Sequence, residues 1–209
     1  MRTLAINKVA QDALTPSEVL NNLLEGNKRF TNNSLEAVDY NSLVKETVGG
    51  QYPKAVILSC IDSRVPVEQV FDQTIGDIFV SRVAGNFENT DILGSLEYSC
   101  AVAGSKVVLV LGHQSCGAVK AACDGVELGN ITAMLDNIMP AVKKSSEEVE
   151  GEANSSNPEF VAKTVENNVL LTVERIREKS PILKDLEDKG SISIVGGVYS
   201  LETGKVTML

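Results

Sequence analysis

Lys106-Val-Val-Leu-Val-Leu-Gly-His-Gln-Ser-Cys-Gly-Ala-Val119 is the stretch from which the rest of the chain can be read. Val107 to Leu111 is an unbroken apolar run of strand length, the pattern of a strand covered on both faces, and Gly112 ends it before polar residues begin. From Gly117 the spacing turns helical through Ala118, Val119, Ala121 and Ala122. The stretch therefore predicts a buried strand, a turn bearing His113 and Cys116, and a helix that starts at the cysteine. Backbone N–H groups and the positive end of the helix dipole then favour a thiolate at Cys116. His113 is the sole histidine in 209 residues. Set beside a cysteine at a strand's exit, it is a candidate for chemistry.

A second exit of the same kind lies upstream. Ala55-Val-Ile-Leu-Ser59 reads as a buried strand that stops at Cys60-Ile-Asp-Ser-Arg64, where apolar residues give way to a thiol, an acid and a base. If the backbone stays extended past the strand, the side chains at 60, 62 and 64 project to one side, because strand side chains alternate with period two. Asp77 to Val83 predicts a third strand, followed by the loop Ala84-Gly-Asn86, and Ser191 to Val195 a fourth. Tyr199 to Leu209 reads as a terminal hairpin turning at Thr203-Gly204.

Helices fill the intervals. Thr15-Pro-Ser-Glu18 carries an N-cap, a first-turn proline and an early acid ahead of Val19, Leu20, Leu23, Leu24 and Phe30. Residues 1–30 are an N-terminal arm and helix, the arm up to Leu14 lying on another surface or fraying. Thr31 to Gly50 reads as loop with a short helix, and Pro66 begins another short one. Thr90 is the expected cap of a helix ending at Gly104, and Ile131 to Val142 is expected to be one helix containing Pro140. Lys143 to Asn157 reads as an exposed helix end and loop. Pro158 to Lys179 forms a long helix and Pro181 to Lys189 a shorter one. Strands alternating with helices predict a single α/β domain over 1–209, with a mainly parallel central sheet of about four to five strands flanked by helices. Ligands of such sheets bind at the carboxyl ends of the strands, so Cys60, His113 and Cys116 should converge in one crevice.

Composition narrows the partners. A net charge of −9 spread along the chain disfavours nucleic acid, whose phosphates need a basic face. No apolar run approaches the roughly 20 residues of a membrane span, and the first 30 residues lack a signal peptide's pattern, so a cytoplasmic protein is expected, although a processed periplasmic one would look the same. Four cysteines in so long a chain do not make a disulfide scaffold. Two thiolates and one imidazole suit zinc, and three protein ligands leave a position open. The alternatives are ordinary core cysteines, or a closed structural site completed by Cys100 or Cys123, both of which read as packing. Asp62 could orient a zinc-bound water, and Arg64 could hold Asp62 in a bidentate pair that keeps it ionised and off the metal. Otherwise the two are a loop-stabilising ion pair.

Cys60-x-Asp62-Ser63-Arg64 together with His113-x-x-Cys116-Gly117 resembles the signature of the β-class carbonic anhydrases. The likeness extends through Gln51-x-Pro53, Gly76-Asp77-x-Phe79-Val80-x-Arg82, Ala84-Gly85-Asn86 and Glu97-Tyr98. It implies one Zn²⁺ per chain held by Cys60, His113 and Cys116, an Asp62–Arg64 dyad, and reversible hydration of CO2 to bicarbonate and a proton through zinc-bound hydroxide. It also implies that Gln51 donates its amide and Gly117 its backbone N–H to the substrate. Phe79, Ala84 and Tyr98 would line a small apolar pocket partly across a subunit interface, in a homodimer or homotetramer. Rival readings keep the site for carbon disulfide or carbonyl sulfide hydrolysis, or keep zinc without turnover. With its one histidine committed to metal, the site has no imidazole to carry the product proton at neutral pH, so turnover should depend on external buffer.

Overall fold

The computed structural model describes residues 1–209. In chain order the elements are α1 (Lys8–Ala13), α2 (Pro16–Thr31), α3 (Tyr40–Glu46), β1 (Ala55–Ser59), α4 (Val67–Val70), β2 (Ile78–Arg82) and α5 (Thr90–Glu97), which runs into a π-helical turn, Tyr98–Val102. They continue through β3 (Val107–His113), α6 (Gly117–Cys123), α7 (Gly129–Leu135), α8 (Met139–Glu148), α9 (Pro158–Lys179), α10 (Pro181–Asp188), β4 (Ser193–Tyr199) and β5 (Val206–Met208). The strands form one five-stranded sheet in the order β2-β1-β3-β4-β5, parallel except for the last pair.

The two strands singled out by their apolar runs are the centre of that sheet. Every residue of β1 and β3 is buried, since helices cover both faces. Val56, Leu58, Val108 and Val110 pack with Val169, Val173 and Ile176 of α9, while Ile57, Leu109 and Leu111 pack with Val19 and Leu23 of α2 and Val70 of α4. Alternation along each strand thus splits one apolar run between two cores. Helix α9 comes unusually close because Gly112 and Gly196 face it: a Cβ on either would meet a Val169 methyl at 2.6 Å.

From β1 the chain first goes outward to β2, and β3 then returns to the other side of β1. The order of connection therefore reverses between β1 and β3, and this is where an open α/β sheet leaves a crevice at its carboxyl edge. Ser59 pairs with Leu111 in register, so Cys60 and His113 emerge side by side.

Several boundaries differ from expectation. The expected helix over 131–142 is two helices, with Pro140 in the first turn of α8, where its missing N–H costs nothing. Asn89 rather than Thr90 caps α5, its side chain accepting from the Ile92 N–H at 2.9 Å. The fourth strand and the first arm of the hairpin are one strand, β4, running through Gly196-Gly197. The arm folds back on its own chain: Gln11 is fully buried and donates to the Pro53 and Ala103 carbonyls, and Arg2 pairs with the buried carboxylate of Asp77 at 2.6 Å.

Candidate metal centre

Sequence spacing brings the three candidate ligands together in the way the fold requires. Cys60 is the residue after β1, His113 is the last of β3, and Cys116 caps α6. The turn between His113 and Cys116 is closed by Ser115 in the left-handed conformation, φ 51°. This conformation is uncommon for a residue with a Cβ, and it reverses the chain so that both side chains face one point. One ligand atom from each of Cys60, His113 and Cys116 lies within 4.8 Å of the others, and all three residues are buried.

The local chemistry fits a metal ion. The His113 Nδ1 sits 2.8 Å from the Gln114 carbonyl oxygen, which can only accept, so Nδ1 carries the proton and Nε2 presents its lone pair. That Nε2 is buried with no hydrogen-bond partner, a condition that ordinarily costs about 1–3 kcal/mol. The two sulfurs are 3.9 Å apart, against the ~3.8 Å expected of two thiolates bound at about 2.3 Å to one tetrahedral ion. A fully buried lone pair aimed at two sulfurs at that separation is the donor set of zinc.

The sulfurs are not equivalent. The neighbouring Cys116 sulfur first of all, and the Gly85 and Asp62 N–H groups, pull the Cys60 thiol down against the opposing effect of burial. The Cys60 sulfur, together with burial, pushes Cys116 up, and the Val119 and Ala118 N–H groups at the helix start only partly offset it. The two thiols are thus pushed in opposite directions, Cys60 towards the thiolate and Cys116 away from it. A divalent ion would bind both as thiolates and release their protons.

Asp62 and Arg64 stand beside the cluster. Arg64 Nε and Nη2 donate to Asp62 Oδ1 and Oδ2 at 2.9 and 2.7 Å, a bidentate pair that holds the Asp62 carboxyl well below the ordinary carboxylate range. They meet through a turn and not through extended alternation: the Val65 N–H donates to the Asp62 carbonyl, and the Arg64 N–H to Asp62 Oδ1. Asp62 Oδ2 lies 3.8 Å from His113 Nε2. Gly117, the first residue of α6, has open space where a side chain would project, and its N–H is among those a helix leaves unpartnered in its first turn.

The remaining candidates are placed elsewhere in the chain. Gln51 is exposed and precedes β1, so the whole strand, five residues or about 17 Å of extended chain, separates it from Cys60. Phe79 pairs with Val56 near the amino end of β1 and stacks edge-on against Tyr98, ring centroids 6.3 Å apart, at the outer edge of the sheet. Ala84 adjoins Gly85, whose N–H donates to the Cys60 sulfur at 3.4 Å. Cys100 and Cys123 are not part of the cluster; both are buried in apolar surroundings, and burial pushes Cys100 up to about 12.

Two supports were not anticipated. Arg82, at the carboxyl end of β2, donates to the backbone carbonyls of Cys60 and Asp62 at 2.7 and 2.6 Å and so fixes the loop that carries both. Asn168, buried in α9, donates to the Gly85 carbonyl at 2.7 Å and holds the loop whose N–H faces the Cys60 sulfur. Adjacent asparagines at 167 and 168 in the middle of a helix, where this residue type is a poor helix former, were the available signal.

A family profile described as carbonic anhydrase matches residues 55–206. The chain belongs to the β-class carbonic anhydrases. Carbonic anhydrase 2 of Mycobacterium tuberculosis is 33% identical over 195 residues, 89% of each chain, and a carbonic anhydrase of Mycolicibacterium smegmatis is 36% identical over 159 residues, 76% of this chain and 75% of that one. Among solved structures, the Coccomyxa β-carbonic anhydrase in complex with acetazolamide superposes with a TM-score of 0.72 at 29% identity, over 91% of this chain and 86% of that one. The Cys60, His113 and Cys116 cluster is this carbonic anhydrase's candidate zinc site.

Proposed function

We propose that this carbonic anhydrase interconverts CO2 and bicarbonate at a zinc ion held by Cys60, His113 and Cys116. The observation that carries the reading is the buried, unpartnered Nε2 of His113 beside two sulfurs 3.9 Å apart. Bound there, zinc supplies the Lewis acidity that makes water a nucleophile near neutral pH. With the ion bound, the Asp62 carboxylate would accept a hydrogen bond from the attacking water and orient it, and Arg64 keeps Asp62 ionised and engaged. The Gly117 N–H donates to a substrate oxygen from the open side of the helix start. Gln51, at the far end of its own β1, reaches only the site of a second copy of the chain, where its side-chain amide donates to the substrate. Homodimer or homotetramer formation is therefore part of the proposal. It is supported by the exposure of Leu4 and Val9 on the arm, and two β-carbonic anhydrases of Sordaria macrospora with a similar fold are tetrameric. Phe79 and Tyr98 belong to the apolar wall of that shared site, together with Ala84.

His113 is spent on the metal, and no second histidine exists to carry the product proton at neutral pH. The rate should therefore depend on external buffer. Stopped-flow CO2 hydration on protein whose zinc has been counted tests the proposal. The expected result is about one zinc per chain and a rate climbing with pH, with zinc and rate both lost in Cys60→Ser. A flat pH profile in zinc-loaded protein, or a Cys60→Ser variant that keeps its rate, contradicts it.

A further inference from the structure

A second reactive position lies at the amino end of the sheet. Lys54 precedes β1, and its backbone is locked between neighbours: its N–H donates to the Asp77 carbonyl at 2.9 Å and its carbonyl accepts from the Lys106 N–H at 2.8 Å. The residue is 8% exposed. Buried lysines are ordinarily paired; the Lys54 amine has neither an ion pair nor a hydrogen bond within the chain and opens to solvent at the cavity beside it, while the chain's other buried charges, Asp77 and Glu88, are paired.

Lys54 borders a cavity of about 280 Å³ with no apolar lining. Two guanidinium groups share it. Arg2 is committed to Asp77 and to the Leu4 carbonyl. Arg29 donates only its Nε, to Asp72, and leaves its Nη groups free. The acids Glu25, Glu36 and Asp72 and the amides of Asn21, Asn22 and Gln73 complete the rim. Burial is the first cause that lowers the Lys54 pKa, and Arg2 and Arg29 push the same way, against Asp77 and Glu36. The neutral amine is the nucleophilic form, and desolvation favours it.

We propose that Lys54 is a carbamylation site, at which the amine captures CO2 directly and the resulting carbamate is held by the free Nη groups of Arg29. The lone pair of Nζ attacks the carbon of CO2 and an N–C bond forms. One C=O π bond breaks, its electron pair remaining on oxygen, and the displaced N–H proton passes to solvent. The product is a planar carboxylate on nitrogen, the shape a guanidinium binds with two parallel N–H donors. The inference takes from the proposed function only that the protein works where CO2 is present.

Alkylative trapping in the presence of ¹³C-labelled CO2, followed by peptide mass mapping of the full-length zinc protein, tests it. The ethoxycarbonyl adduct is expected on Lys54 at several-fold higher occupancy than on the exposed lysines Lys8, Lys28 and Lys189. It should vanish in Lys54→Arg and fall several-fold in Arg29→Gln. Cys60→Ser, which should lose hydration, is expected to keep the adduct. Lost hydration with an intact adduct, or the reverse, therefore separates this inference from the catalytic one. Lys54 modified no more than the exposed lysines, or a labelled anion held without a covalent bond, overturns the proposal. The wild-type map alone decides between these outcomes even if a variant fails to fold.

Discussion

The two ends of the central strand bury polar groups to opposite effect. At the amino end the buried carboxylate and the buried amide N–H groups find partners within the chain: Asp77 accepts from Arg2 and from the Thr74 N–H, and the Gln11 amide N–H groups are shared between the Pro53 and Ala103 carbonyls. At the carboxyl end they converge without closing: His113 Nε2 has no partner, and the thiols of Cys60 and Cys116 have mainly each other. Folding requires buried polar groups to be satisfied. Metal-binding donors held rigidly around one point and left open are therefore built for something brought from outside, whereas a carboxylate and amide paired within the chain fasten it. Lys54 is the charged exception at the amino end, where Gln11 Oε1 and Thr74 Oγ1 are also left without a partner.

Substitutions should divide along the same line. The largest effect is expected at the carboxyl end. Cys116→Ala should weaken zinc retention, read by competition with a chelator, by more than the about 10- to 100-fold that losing an outer partner of a metal ligand costs. Denaturant unfolding of the metal-free protein should change by only about 1 kcal/mol, because the lost sulfur's partners within the chain are the Cys60 sulfur and the Ala118 and Val119 N–H groups at the start of α6. At the amino end the signs reverse. Arg2→Ala leaves the Asp77 carboxylate buried without its cation and should lower unfolding free energy by about 3 kcal/mol while zinc per chain stays the same. If the Cys116 variant unfolds and the Arg2 variant loses zinc, the distinction between the two ends is wrong.

How legible this was in the sequence differs by level. The strands were readable because β1 and β3 are apolar on both faces, and their exits were readable because cysteine, histidine and a charged pair interrupt those runs abruptly. Local spacing could not show that Asp62 and Arg64 meet through a turn, since an extended chain and an Asx-type turn bring residues two apart together equally well. Nor could it show Arg82 or Asn168 at work, because each reaches a backbone carbonyl on a distant segment, and backbone acceptors carry no residue signature. Pro140 was misread for a related reason: a proline inside an apolar period marks either a kink or a helix start, and the start was obscured by the apolar residues on both sides. Gln51 makes a different point. Its place before β1 was plain, but only the sheet's direction shows that one chain cannot bring it to its own cluster.

A smaller effect sharpens the comparison away from both ends. Glu187 accepts from Arg177 Nε and Nη2 and from the Ile194 N–H, and the Arg177 bonds hold its carboxyl below its ordinary value of 4.5. A carboxyl lowered on folding contributes stability that is complete above the unfolded pKa and is lost as pH falls through the lower folded one. Glu187→Gln should therefore reduce stability at neutral pH by about 1 kcal/mol or less, as a half-exposed pair would. It should also flatten the acid limb of unfolding below pH 4.5 without touching zinc content. A variant with an unchanged acid limb would remove Glu187 from the groups that set acid stability.

Zinc K-edge absorption of the purified protein bears most directly on the central claim. The account predicts about one zinc per chain, with two sulfur neighbours at about 2.3 Å and one nitrogen neighbour at about 2.0–2.1 Å. A site of four sulfurs, a site with no sulfur, or protein that binds no zinc with all three side chains intact would contradict it.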